Sequence, residues 1–126
     1  MLITELKNKD VIKSLITGKV FVLNCHGCRE IHFPEHEADE LLKELTNDGI
    51  VTGSLTTDYI CNVDNLKLRL QKHAAAIEAA DMILVLSCGV GVQTVAEAFK
   101  HHFSLMLSRR EVDLLAAVAG DKKHLT

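Results

Sequence analysis

Four cysteines are the residues of this 126-residue chain whose type and spacing indicate chemistry. Cys25 and Cys28 form a C-x-x-C pair, whereas Cys61 and Cys88 stand alone further along the chain. Four thiolates suit a tetrahedral zinc ion (Zn2+) or a [4Fe-4S] cluster, because both prefer soft sulfur donors. Two other interpretations stay open: a C-x-x-C pair can be a redox dithiol, and a lone cysteine is often a small buried hydrophobe.

The bulk composition predicts a single globular domain over residues 1–126. The chain is 48% hydrophobic and 25% charged, with a formal net charge of −3. Scattered basic residues in a slightly acidic chain argue against binding to nucleic acid or to an anionic membrane surface. The longest apolar run, Met82–Leu86, is too short to span a membrane.

The N-terminal residues predict a cytoplasmic location. Charged side chains interrupt residues 1–20 at Lys7, Lys9, Asp10 and Lys13, so no secretory h-region is present. In a reducing compartment structural disulfides are disfavoured, and metal binding or redox chemistry becomes the better interpretation of the cysteines.

Alternating helical and strand patterns predict an α/β fold. Continuous apolar runs at residues 19–24 and 82–87 are typical of buried parallel strands, with weaker candidates at 50–56 and 103–107. Helical patterns cover residues 3–16, 35–47, 63–80, a segment starting near 92, and 111–119. We therefore expect a small three-layer sandwich, flavodoxin- or Rossmann-like, with a mainly parallel sheet of about four strands and an N-terminal helix.

The predicted strands bring the cysteines toward one edge of the sheet. Cys25 and Cys88 each follow an apolar strand, and Cys61 follows the strand that lies between them in sequence. Carboxyl ends of parallel strands share one edge, and the flavodoxin-like order 2-1-3-4 makes these three ends neighbours. The expected metal ligands are therefore Cys25, Cys28, Cys61 and Cys88.

Two further groups belong to the expected site. His32 follows Cys28 at a spacing that allows it to replace one thiolate, although a loop histidine is more often simply exposed. The main-chain amides of Gly89, Val90 and Gly91 precede a helix and are expected to donate to sulfur atoms of the centre. This glycine pair is too short for a dinucleotide fingerprint, which disfavours phosphate binding.

Two segments resemble a known family. The segment from Ile83 to Glu97, ILVLSCGVGVQTVAE, and the segment from Val22 to Cys28, VLNCHGC, resemble the methylenetetrahydrofolate reductase C-terminal domain family. The resemblance extends over about residues 1–100, and the four cysteines match the family's cysteine positions. The family commonly has another cysteine soon after the C-x-x-C pair, where His32 stands here.

The resemblance implies a metal-bearing small subunit of one-carbon metabolism. Its expected partner is a flavin-containing reductase subunit, to which the centre passes electrons or gives structural support. No acid–base constellation accompanies the cysteines, so a non-catalytic oxidoreductase subunit is expected. A structural zinc domain for assembly and a C-x-x-C dithiol enzyme remain alternatives, and homo-oligomerisation stays open.

Overall fold

The computed structural model describes residues 2–25, 31–57, 63–87, 89–98, 113–116 and 118–123. The helices are α1 (Lys9–Leu15), α2 (Glu35–Asn47), α3 (Val63–Gln71), α4 (Ala74–Ala79) and α5 (Gly89–Ala98). The strands are β1 (Leu2–Leu6), β2 (Val20–Cys25), β3 (Ile31–His32), β4 (Val51–Thr57), β5 (Met82–Leu86), β6 (Asp113–Ala116) and β7 (Val118–Lys123).

The main sheet has four parallel strands in the order β4-β2-β5-β6. Counted along the chain within this sheet, the order is 2-1-3-4, so the flavodoxin-like arrangement expected from the sequence is confirmed. All residues of β2 and β5 are buried. Continuous apolar runs form these strands because central parallel strands have no solvent-facing side.

Helices cover both faces of this sheet. On one face, Phe21, Leu23 and Ile83 pack with residues of α3, α4 and α5, including Leu66 and Ile77. The opposite face is covered by α1 and α2. Its buried cluster contains Ile12, Val20, Val22, Ala38, Leu41, Leu45 and Leu84. The α/β three-layer architecture is therefore confirmed.

The N-terminal segment differs from the expected helix over residues 3–16. Residues 2–6 form β1, and the helix begins only at Lys9. Asn8 explains this boundary, since its side chain accepts a hydrogen bond of 2.8 Å from the Asp10 amide in an N-cap arrangement. β1 belongs to a second, three-stranded sheet of order β3-β1-β7 that the sequence patterns did not indicate.

The predicted C-terminal helix over residues 111–119 is wrong. Asp113–Ala116 instead forms β6, which extends the parallel sheet beside β5 through pairs such as Ile83–Leu114. β7 then pairs antiparallel with β1. Pairing with two existing strands outweighs the helical preference of this alanine- and leucine-containing segment. The strand predicted over 103–107 lies outside the described residues.

The helix predicted over residues 63–80 is divided into α3 and α4. The amides of Lys72 and His73 bond back three residues, to Arg69 and Leu70, which tightens and ends α3. The His73 ring packs against Phe21 of the sheet, with ring centroids 5.6 Å apart. Among the described residues, none of the helices has the length and apolar character needed to cross a membrane.

Candidate metal centre at the carboxyl edge of the sheet

The carboxyl ends of three strands lie side by side at one edge of the parallel sheet. β2 stands between β4 and β5, and its last residue, Cys25, is in register with Thr57 at the end of β4. On the other side, Asn24 is in register with Leu86, the last residue of β5. Cys25 therefore occupies the middle of the edge at which the cysteines are expected to meet.

Of the four expected ligands, only Cys25 belongs to the described residues. Cys28, Cys61 and Cys88 lie outside them. In sequence, Cys61 comes four residues after Thr57 and Cys88 comes two residues after Leu86. The convergence of all four thiols thus stays a prediction, supported by the neighbouring strand ends from which the chain leads to each cysteine.

The surroundings of Cys25 are apolar and closed to solvent. Its exposed fraction is 5%, and it belongs to the buried cluster that also contains Leu23, Leu55 and Val95. Reactive catalytic cysteines sit in partially exposed, electropositive places, whereas cysteines buried in apolar surroundings are inert and pack as small hydrophobes. The burial of Cys25 therefore disfavours the dithiol enzyme among the alternatives.

Two polar side chains near the carboxyl edge of the sheet are fully buried, Ser87 on the face of Cys25 and Asn24 on the face covered by α2. Asn24 and Ser87 both have exposed fractions of 0%. The Asn24 amide nitrogen donates to Asp39 Oδ1 at 2.9 Å, but Asn24 Oδ1 has no hydrogen-bond partner in the described part of the chain. Ser87 Oγ has none there either. Unsatisfied buried polar atoms are costly, so two at one edge call for an explanation.

The glycine segment Gly89–Gly91 forms the first turn of α5. The helix begins at Gly89, earlier than the start near residue 92 that its pattern indicates. Ser87, at the end of β5, is therefore separated from the helix by a single residue. The first amides of a helix have no intrahelical acceptor, so the amino end of α5, with its positive dipole end, begins two residues after Ser87 and is suited to a negatively charged group. Donation from Gly89, Val90 and Gly91 to sulfur stays a prediction.

His32 lies in the second sheet. It is the last residue of β3 and is in register with Ile3 of β1. The next residue, Phe33, is buried in the cluster against α2. Ligation by His32 stays a prediction. Among the described residues, no three histidine, cysteine or acidic side chains cluster as metal ligands.

Sequence reasoning missed Asn24 and Ser87, although a signal for both is present. Each of the two central apolar strands ends in a polar residue followed by a cysteine, as Asn24-Cys25 and as Ser87-Cys88. A polar side chain at the end of a buried apolar strand is itself buried, and its burial costs free energy unless it finds a hydrogen-bond partner. The repeated polar–cysteine doublet is therefore the sequence signal by which these two buried polar residues could have been found.

Comparison with known proteins adds no relative. No protein-family model, curated protein or solved structure matches this chain.

Proposed function

We propose that this chain is the metal-bearing subunit of a reductase whose catalytic subunit contains flavin. Its centre, a [4Fe-4S] cluster or a zinc ion, is held by Cys25, Cys28, Cys61 and Cys88. The observation that carries the proposal is the position of Cys25, buried between two strand ends that lead within four residues to Cys61 and Cys88. Four thiolate ligands suit a metal that prefers soft sulfur donors.

The residues around Cys25 fit a thiolate centre. Binding deprotonates each thiol, so the site gathers negative charge in a buried place. The amino end of α5 offsets such charge, and the buried Ser87 hydroxyl is a donor without a partner in the described chain. Burial also excludes water, which protects a cluster from solvent and raises the strength of each polar contact.

The partner in this proposal is a flavoprotein of the methylenetetrahydrofolate reductase type. Its support is the resemblance of the segments 22–28 and 83–97 to the C-terminal domain family of that reductase. The chain would then be a non-catalytic subunit that passes electrons to the flavin or supports the assembly. An iron–sulfur cluster serves electron transfer, whereas zinc has no redox chemistry and serves assembly alone.

Anaerobic metal analysis of the purified full chain tests the proposal. We expect either iron and sulfide with a broad absorption at about 400 nm, or one zinc per chain without colour. The matched variants are Cys88→Ala, which should lose the metal, and His36→Ala, which removes an exposed histidine of α2 and should keep it. Unchanged metal content in Cys88→Ala would contradict a four-cysteine site.

The same preparation separates the alternatives. Mixing it with a methylenetetrahydrofolate-reductase-type flavoprotein should give a complex on size-exclusion chromatography. An iron–sulfur form should also change the rate of flavin reduction in that complex, while a zinc form should change only its stability. A metal-free chain that reduces insulin disulfides would replace the proposal with the dithiol enzyme.

A further inference from the structure

Three properties of Ser87 bear on the proposed centre. It is fully buried, its hydroxyl has no hydrogen-bond partner among the described residues, and it stands two residues before the start of α5 at Gly89. Each buried hydroxyl without a partner costs about 1–3 kcal/mol. Removing this one by substitution with alanine would be structurally simple, so its presence points to a partner outside the polypeptide groups described.

The register of the sheet indicates where that partner lies. Asn24 and Leu86 form the last pair between the parallel strands β2 and β5. The next residues along the two strands are Cys25 and Ser87, which therefore lie at the same level of the sheet. Along β5 the odd-numbered residues Ile83 and Val85 face the helices α3, α4 and α5, and Cys25 belongs to the same cluster. Continuing this alternation places Ser87 on the face that holds Cys25.

We infer that the Ser87 hydroxyl donates a hydrogen bond to a thiolate sulfur of the centre and so sets its metal affinity and its electronic properties. The inference rests on the proposed function and adds a positioning residue to it. A thiolate is an acceptor that a neutral apolar core otherwise lacks, and charge-assisted hydrogen bonds are about twice as strong as neutral ones. Donors around metal ligands commonly change metal affinity by about 10- to 100-fold.

The two acceptors to be considered are a thiolate and an internal water. A buried water would satisfy the hydroxyl without changing the metal, because no sulfur would lose a donor. The closed, apolar cluster around Cys25 favours the thiolate, since a buried water needs two to four polar partners. The experiment below gives a different result for each acceptor.

The test compares Ser87→Ala with Ser87→Thr in the full chain, and Ser54→Ala serves as the matched control. Ser54 is an exposed serine on β4 of the same sheet. Alanine removes the hydroxyl without adding volume, whereas threonine keeps it. Because the hydroxyl has no partner in the described chain, Ser87→Ala should retain the fold by circular dichroism.

The readout follows the metal found in the wild type. For a zinc centre, the metal is exchanged for Co2+, and Ser87→Ala should move the thiolate-to-cobalt charge-transfer band to lower energy and weaken binding by about 10-fold. For an iron–sulfur centre, Ser87→Ala should lower the reduction potential, because a donor to sulfur favours the more negative, reduced state. Ser87→Thr should restore both properties, and Ser54→Ala should change neither.

Three results would overturn the inference. One is a Ser87→Ala spectrum, affinity and potential equal to those of the wild type, which would assign the hydroxyl to a water. Another is loss of the fold in Ser87→Ala, which would assign it a structural partner. The third is a wild type without thiolate-ligated metal, in which case the proposed function fails together with the inference. The first two results leave the metal of the wild type in place and so contradict the inference alone.

Discussion

At the amino edge of the parallel sheet, the backbone of Lys19 is bonded on both sides to the segment that begins β5. Its amide donates to Asp81 Oδ2 at 2.8 Å, and its carbonyl accepts from the amides of Asp81 and Met82 at 2.8 and 3.1 Å. At the carboxyl edge, Asn24 and Ser87 each keep one buried polar atom without a partner in the described chain. Polar groups at the first edge join strands, whereas two buried polar atoms at the second edge lack a partner. Glu44 Oε2 of α2 is the third buried side-chain atom without a hydrogen bond among the described residues, but it lies 3.7 Å from Lys13 Nζ.

Under the proposed function, this difference between the two edges separates an edge that serves stability from an edge that serves metal binding. Satisfied polar groups stabilise the fold, whereas unsatisfied ones reduce its stability and need an explanation, which a bound metal centre supplies. Substitutions at the amino edge should therefore change folding without changing metal. Substitutions at the carboxyl edge should change metal with little effect on the metal-free fold. Four experiments test this separation, beginning with the largest expected effect.

Cys25→Ala should cause the largest loss in the metal-loaded protein. A metal present a thousandfold above its dissociation constant stabilises the folded state by about 4 kcal/mol, and this contribution disappears when a ligand is removed. In the metal-free protein the same variant should lose only about 1 kcal/mol. Denaturant unfolding with and without a chelator measures both values, and an equal loss in the two conditions would contradict a metal role for Cys25.

Gly18→Ala should be the most damaging change at the amino edge. Gly18 has φ of +87°, and a β-carbon there would collide with the Asp81 carboxylate. We expect a loss of about 3 kcal/mol in the free energy of unfolding, from backbone strain and displacement of Asp81.

The matched control for that change is Gly49→Ala. Gly49 has φ of +74°, but a β-carbon there would have nothing within 4 Å. Only the left-handed conformation then opposes the substitution, and the expected loss is about 1 kcal/mol. Both variants should bind metal as the wild type does. Equal losses in the two variants would show that the contact with Asp81 is unimportant.

Thr52→Val should cost about 1 kcal/mol. Thr52 lies near the amino end of β4, and its hydroxyl donates to the carbonyl of Ala76 at 2.8 Å, with the Val20 carbonyl 3.3 Å away. Valine keeps the shape and removes this bond between β4 and α4. Thermal and denaturant unfolding measure the loss, and an unchanged midpoint would argue that water replaces the bond without cost.

Ser87→Ala should cause no loss of stability in the metal-free fold. Its hydroxyl makes no hydrogen bond within the described chain, so its removal relieves the cost of a buried unsatisfied group and should increase the free energy of unfolding by about 1 kcal/mol. Thr52→Val removes a hydrogen-bonded hydroxyl at the amino edge, whereas Ser87→Ala removes a hydroxyl without a partner at the carboxyl edge. A larger loss for Ser87→Ala than for Thr52→Val would reverse the comparison.

Local patterns predicted the central part of the fold. The apolar runs located β2 and β5 because central parallel strands are buried on both faces. The helix expected over residues 35–47 has those bounds as α2. Both features depend on residues close together in the chain. The order 2-1-3-4 was expected from the flavodoxin-like fold class, and its fourth strand is β6, a segment expected to be helical.

The features that were missed depend on distant contacts. β6 forms because β5 offers an edge to pair with, and β1 forms beside β7 at the other end of the chain. The break between α3 and α4 accompanies the packing of His73 on Phe21, which no helical period reveals. At the site, the position of Cys25 followed from its strand, whereas the burial of Asn24 and Ser87 required the packed sheet.

The central claim is that thiolates bind one metal centre at the carboxyl edge, and X-ray absorption at the metal edge tests it most directly. For zinc in the full chain prepared anaerobically, we predict about four sulfur neighbours at about 2.3 Å, or three sulfurs and one nitrogen if His32 is a ligand. For iron, sulfur neighbours and a short iron–iron distance are expected. A first shell of only oxygen and nitrogen atoms would contradict the account.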